Sequence, residues 1–280
     1  MVKRRFASID IGQVHYWTAG EEHRGSAKPP LVLLHASPFS GRSLNALTEP
    51  MGQSRWAIAP DHLGQGDSCA PTLAEPPVEY FSDKMIAFFD ALGIAAADLY
   101  GTHTGAHVAI DIAIRHPKRV RRLILDGVGL PNETLKNEYV AHLRERPPFD
   151  YTGAQMMWAF QTAQDLYLFF PYYDRDTVHR RKRDMGSPSD LHRRALELLR
   201  NLRTYHQAYI AAFEANPGGR KYPLIPQPVL YTVAAMDGSA AAFDQVAKMI
   251  ANCTARRYPE GAIAGDYGAA APMFRDWLDS

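Results

Sequence analysis

Residues 98–106, Asp98-Leu99-Tyr100-Gly101-Thr102-His103-Thr104-Gly105-Ala106, decide how this chain is read. Leu99 and Tyr100 are strand-like, and residues 105–115 carry helical periodicity until His116-Pro117 stops it. Gly101 and Gly105 bracket His103 in a Gly-x-His-x-Gly spacing. Small residues on both sides of a strand-to-helix turn let it pass close to neighbouring elements, so the central side chain is presented above the sheet.

On either side of this elbow, apolar strand-like runs alternate with helical text. The clearest runs are 31–35, 56–60, 123–125 and 229–233, and residues 82–92 read as a helix with Asp83 near its start and Gly93 closing it. That alternation predicts an α/β fold, a mostly parallel central sheet flanked by helices. Residues 6–11 and 13–18 read as an antiparallel pair turning near Gly12. From about 130 to 221 the alternation stops and aromatic-rich helical text takes over, which predicts a helical cap at 130–221 inserted into a core of 1–129 and 222–280. Within it, 155–170 holds Met156, Met157, Trp158, Phe160, Leu166, Phe169 and Phe170, and 191–215 reads as a second long helical region. Such residues pack on one another or line a pocket; for any single one, packing is the commoner fate.

With 280 residues, 46% of them apolar, the chain is long enough for one large core. Its 31 Lys plus Arg balance 30 Asp plus Glu, so no net field recruits nucleic acid or an acidic membrane, and a small molecule is the expected partner. A homodimer stays open. The basic run His179-Arg180-Arg181-Lys182-Arg183, with Asp174, Asp176 and Asp184 around it, reads as a solvated helix face rather than a phosphate or import patch. Cys69 and Cys253 have no metal-ligand spacing and make no disulfide framework. With no membrane-length apolar window and a polar stretch after the basic N-terminus, the expected location is cytoplasmic. No dinucleotide or phosphate-loop glycine pattern and no cysteine cluster is present, so no cofactor is predicted.

Together these features resemble the α/β-hydrolase superfamily, particularly cap-bearing members such as epoxide hydrolases, haloalkane dehalogenases and carbon–carbon bond hydrolases. Leu33-Leu34-His35-Ala36-Ser37-Pro38 is similar to that family's His-Gly-x-Pro oxyanion loop, with Ala36 in the glycine place. Residues 59–68, Ala59-Pro60-Asp61-His62-Leu63-Gly64-Gln65-Gly66-Asp67-Ser68, look like its Pro-Asp-x-x-Gly-x-Gly-x-Ser turn. The resemblance implies an oxyanion hole made by the backbone N–H groups of Ser37 and Thr104, each such donor contributing about 3 kcal/mol to a developing oxyanion. It also places Asp237 in the acid position, although a helix N-cap role before Gly238-Ser239-Ala240 competes. At the base the resemblance breaks. The family histidine follows the last strand, yet residues 258–267 contain none and no histidine lies beyond His206. A Ser-His-Asp triad therefore lacks both its serine and its imidazole.

An imidazole reaches farther than a hydroxymethyl group, so His103 is expected to meet Asp237 directly in a two-residue dyad. The helix N-terminus opposes protonation of His103 and Asp237 favours it, which points to titration near neutrality and general acid–base work. The expected reaction is ester or carbon–carbon bond hydrolysis of a small, largely apolar carbonyl compound. A cofactor-free lyase, decarboxylase or oxygenase reaction with His103 as base is the alternative chemistry, and an acyl-imidazole on His103 is the alternative mechanism. A non-catalytic small-molecule binder and a purely structural partner compete with all of these. His103 and His107 stand one turn apart, but no third ligand accompanies them and no metal is predicted. His35, Phe39, His107, Met157, Trp158 and Phe170 are expected around the substrate, His62 in a structural turn, and His179 or His206 could descend from the cap as a replacement base.

Overall fold

The computed structural model describes residues 1–181, 183–235, 237–259 and 267–280. A hairpin of β1 (Lys3–Ile9) and β2 (Gly12–Ala19) opens the chain, with Phe6 opposite His15. Then follow β3 (Leu31–Leu34), β4 (Ala57–Pro60), β5 (Ala97–Thr102), β6 (Val120–Asp126), β7 (Val229–Val233) and β8 (Cys253–Arg257). Among the described residues these eight strands form one sheet ordered β1-β2-β4-β3-β5-β6-β7-β8. All neighbours from β4 to β8 are parallel and the β1–β2–β4 side is antiparallel, so the mostly parallel sheet expected from the sequence is present. Strand β8 escaped the sequence reading because Cys253-Thr254-Ala255-Arg256-Arg257 offers no apolar run. It is an edge strand paired only to β7, so half of it faces water.

Both faces of the sheet are covered, which is why β3, β4 and β5 are buried throughout. Alternation sorts their side chains: Val32 and Leu34 enter one core, Leu31 and Leu33 the other. The first core is closed by α2 (Val78–Leu92) and α3 (Thr104–Arg115), which bring Phe81, Phe88, Phe89, Val108 and Ile112. The second is closed by α1 (Asn45–Met51) and α9 (Tyr267–Asp279), which bring Leu47, Met51, Phe274 and Trp277. Each such side chain, fully buried, contributes about 1.5–3 kcal/mol. Helix α2 begins four residues before the expected position 82. Asp83 therefore lies in its second turn rather than at its start, where it pairs with Arg115 and His116.

Between β6 and β7 the chain forms α4 (Glu133–Arg144), α5 (Ala154–Leu168), α6 (Pro188–Arg200) and α7 (Gln207–Glu214), before α8 (Phe243–Met249) follows β7. Tyr139 of α4 gathers Phe170, Tyr172, Tyr173, Tyr209 and Phe213 around its ring. The long helix expected over 191–215 is instead broken at 201–206. There Asn201 Nδ2 donates to the Gly66 carbonyl (3.2 Å) and Thr204 Oγ1 to the Gly64 carbonyl (2.7 Å), while Gln65 Nε2 donates to the Tyr205 carbonyl (2.8 Å). Contacts of this kind offer the backbone an alternative to the helix. The basic run is not a helix face either. Residues 168–170 pair antiparallel with 179–181 through Phe170 N–H to His179 O (2.9 Å) and Arg181 N–H to Leu168 O (2.7 Å), and the Asp176 carboxylate closes the preceding turn on the His179 N–H. No helix among the described residues is long and apolar enough to cross a membrane.

Candidate active site

The elbow is built as the glycine spacing requires. A Cβ on Gly101 would come within 2.6 Å of Ala106 Cα, and one on Gly105 would strike the Leu34 carbonyl. Held between these close approaches, His103 adopts φ 46° and ψ −109°, the only positive φ at a non-glycine among the described residues. Such a conformation costs of order 1–3 kcal/mol and persists only where the surroundings fix it. Here the His103 N–H donates to the Asp126 carbonyl (3.0 Å) and its own carbonyl accepts from Ala106 and His107.

The imidazole leans toward β6 and β7. Its Nε2 lies 3.2 Å from Oδ2 of Asp237, whose side chain is 6% exposed, whereas the His103 side chain is 44% exposed. The other Asp237 oxygen accepts from Ser239 N (2.8 Å) and Ser239 Oγ (2.7 Å). One Asp237 oxygen thus closes a turn on Ser239 and the other meets His103, while the helix N-cap position weighed for it falls to Ser239. Burial pulls the His103 pKa down, but the charge and hydrogen bond of Asp237, with the charge of Asp126, outweigh it and set the value above 6.5, while Arg181 opposes them. For Asp237, burial alone would raise the pKa; the charge and bond of His103 and the Ser239 contacts take it well below 3.8.

Two residues of this site were not singled out in the sequence. Gly127 (φ +70°) sits against the imidazole, and a Cβ there would come within 2.7 Å of His103 Cε1. Asp126 is buried beside it, its Oδ2 accepting from the hydroxyls of Tyr100 (2.5 Å) and Tyr258 (2.6 Å). Burial lifts its pKa to about 6 against the pull of those two hydroxyls and of His103. The Leu125-Asp126-Gly127 text at the end of an apolar run was visible, but only the fold brings Tyr258 and the elbow to it.

The remaining expected residues separate. Thr104 opens α3, so its N–H has no intrahelical acceptor. The Ser37 N–H, however, donates to the Thr104 hydroxyl (3.2 Å), so one of the two expected oxyanion donors is already engaged. The Ser37 hydroxyl meets Gln65 Nε2 (2.8 Å), the same amide nitrogen that reaches the Tyr205 carbonyl. Phe170 does reach the site, its ring 3.0 Å from where a Cβ of Gly238 would stand. Phe39 lies under the Arg194 guanidinium and Trp158 against Tyr205. Met157 is 71% exposed on the face of α5 opposite Ala159 and Ala163, which removes it from the expected lining. His35 is also removed from it. Fully buried, it donates from Nδ1 to the Ala36 carbonyl (2.9 Å), accepts the His62 N–H at Nε2 (3.0 Å) and lies tilted against the His62 ring at 4.4 Å. Burial holds the His35 pKa well below 6.5 and that of His62 at about 4.

His107 Nδ1 is buried without a partner among the described residues, and burial together with the His103 charge holds its pKa at about 4. No metal-ligating cluster occurs among the described residues. Neither candidate replacement base comes to His103: His179 Nδ1 is bonded to Asp176 (2.8 Å) and His206 Nδ1 faces Arg146 (3.4 Å). The segment after β8, where a family histidine would stand, lies largely outside the described residues.

No family model matches the chain. Over 108 residues it is 40% identical to a 2-hydroxymuconate semialdehyde hydrolase of Pseudomonas sp. (strain CF600), a match spanning 38% of each chain. Among solved structures it superposes on the enol-lactonase from Burkholderia xenovorans LB400 with a TM-score of 0.71 at 16% identity, covering 98% of this chain and 97% of that one. Epoxide Hydrolase A from Mycobacterium thermoresistibile gives 0.71 at 17% identity over 100% and 98%. These likenesses bear out the resemblance read from the motifs: the chain has the α/β-hydrolase fold.

Proposed function

We propose that the chain is an α/β-hydrolase-fold enzyme that hydrolyses a small carbonyl compound, an ester or a carbon–carbon bond activated by a carbonyl, with His103 and Asp237 as its catalytic dyad. Residues 1–129 and 222–280 are its core and 130–221 its cap. The observation that carries the reading is the 3.2 Å approach of His103 Nε2 to Asp237 Oδ2 from an elbow held at positive φ. A retired site has no need of that strain.

In this reading Nε2–H donates to Asp237, which leaves the Nδ1 lone pair as the base. A water gives its proton to Nδ1 as its oxygen adds to the carbonyl carbon, and the carbonyl electron pair moves onto oxygen. That oxyanion takes the Thr104 N–H, and the Ser37 N–H once it turns from the Thr104 hydroxyl. Collapse expels an alkoxide, or an enolate where a carbon–carbon bond breaks, and the leaving group recovers the proton from Nδ1. His103 as covalent nucleophile ranks second, because both ring nitrogens of His35 and Nε2 of His62 are spent on the backbone, and His107, its pKa held at about 4, is a poor second base.

The test is turnover of an activated ester panel by the wild type, His103→Ala and Asp237→Asn across pH, with circular dichroism confirming the fold of each. Loss of turnover in His103→Ala, and a wild-type rate governed by one ionisation near neutrality, support the dyad. Equal rates in all three proteins overturn it.

A further inference from the structure

Three arginines of the helical insertion lie beside the site and have no carboxylate within salt-bridge distance among the described residues, although Arg194 acts on Asp190 and Glu197 of its own helix from farther off. Arg181 lies over the Phe170 ring at 5.2 Å, and Phe170 in turn packs on Gly238 beside Asp237. Arg183 and Arg194 both lie on Tyr167, at 5.0 and 4.5 Å, and Arg194 also covers Phe39 at 4.3 Å, two residues beyond Ser37. Aromatic faces stabilise guanidinium groups but do not neutralise them. The Nε atoms of Arg183 and Arg194 are buried with no hydrogen-bond partner. Neighbouring arginines of the insertion are served: Arg175 by Asp165, and Arg193 by Asp190 and Glu197. Concentrating three guanidinium groups with no carboxylate bonded to any of them is unfavourable unless something anionic joins the set.

We propose that Arg181, Arg183 and Arg194 form a cradle for a dianionic ligand, a dicarboxylate whose one end meets Arg181 near His103 and whose other end meets the pair astride Tyr167. Planar guanidinium forks match carboxylate oxygens two at a time, and the rings beneath them suit a hydrocarbon spine between the ends. The inference rests on the proposed reaction only for which carbonyl lies at His103; binding itself is independent of turnover. It also gives the basic run a use: the antiparallel pairing of 168–170 with 179–181 turns Arg181 onto Phe170 instead of leaving it on a solvated helix.

A second consequence separates this reading from a structural role for the arginines. The groups acting on His103 are Asp237 and Asp126 from the strand ends, Arg181 from the insertion and His107 from its own helix, and Arg181 disfavours the imidazolium. A carboxylate on Arg181 cancels that influence, so ligand binding raises the pH at which His103 titrates.

The experiment is calorimetric titration of the full chain with succinate, glutarate and adipate, and with their dimethyl esters, alongside NMR of the histidine Cε1–H signals. Wild type and His103→Ala are expected to bind one diacid at least about tenfold more tightly than its diester. Arg181→Gln and the Arg183→Gln/Arg194→Gln pair each lose about tenfold or more, while Arg181→Lys, which keeps the charge, loses less. In the wild type, the diacid moves the His103 midpoint upward. Diesters binding as well as diacids, unchanged affinity in folded Arg→Gln variants, or no saturable diacid binding at millimolar concentration overturns the proposal. Retained diacid binding in an inactive His103→Ala protein leaves it standing, as does diacid binding by a wild type that turns over no ester.

Discussion

Replacing Asp237 with Asn tests the pair at the centre of the site. Asn keeps the shape and the Ser239 contacts but removes the charge that favours the imidazolium 3.2 Å away. A hydrogen bond to a charged group contributes about 1.5–3 kcal/mol when dry, but the His103 side chain is 44% exposed and water screens it, so about 1 kcal/mol is the reasonable figure. The His103 pKa should fall accordingly, since the group that favours its charged form is gone. The sign follows from both partners. The raised pKa of His103 gives stability that is fully present below 6.5 and lost as pH rises through its folded value; the lowered pKa of Asp237 gives stability present above 3.8 and lost as pH falls through its folded value. It is one interaction counted once, fullest between 3.8 and 6.5. Asp237→Asn should therefore be destabilised by about 1 kcal/mol at pH 5 and by less toward pH 9. Two-dimensional NMR of the histidine Cε1–H signals, with His103 assigned from its loss in His103→Ala, reads the pKa; urea denaturation at the two pH values reads the stability. An unchanged or higher His103 midpoint in Asp237→Asn refutes the pairing, as does equal destabilisation at both pH values.

Gly127→Ala places a methyl 2.7 Å from His103 Cε1 at φ +70°. It should cost about 1–2 kcal/mol in denaturation and displace the ring, with ester turnover falling further than stability. Asp126 holds its proton up to about pH 6 when folded, against 3.8 when unfolded, so its contribution makes stability fall as pH climbs through that interval, by up to about 3 kcal/mol. Asp126→Asn should remove that slope from a pH series of urea midpoints. The His62 imidazole stays neutral down to about pH 4 when folded but charges near 6.5 when unfolded, so its contribution is lost as pH falls between those values, again by about 3 kcal/mol at most. His62→Asn should flatten that acid limb of the same series.

The apolar strand runs along the chain, the elbow and the aspartate following β7 were legible because each rests on local text: apolar runs, a glycine pair at fixed spacing, a carboxylate after a strand. What the sequence hid was relational. Strand β8 is too polar to announce itself from an edge. Asp126 gains meaning only when Tyr100 of β5 and Tyr258, just past the end of β8, converge on one carboxylate oxygen. The helix over 191–215 breaks because Asn201 and Thr204 find carbonyls more than a hundred residues away. Met157 lies in an apolar window and still faces outward, because the small residues Ala159 and Ala163 form the packed face of α5. Apolar content without clear periodicity does not say which side of a helix is inside.

The three hydrogen bonds from 201–205 to the turn at 64–66 act as a fastening along one margin of the insertion. Gln65 extends that fastening to Ser37, so lifting this margin would pull on the loop proposed to receive the oxyanion. The opposite margin, around Phe170 and Arg181, is bonded mainly to itself through the 168–170 and 179–181 pairing. Among the described residues, these side-chain hydrogen bonds tie the insertion to the core at its 201–205 seam, whereas the 168–170 and 179–181 segments are tied to each other.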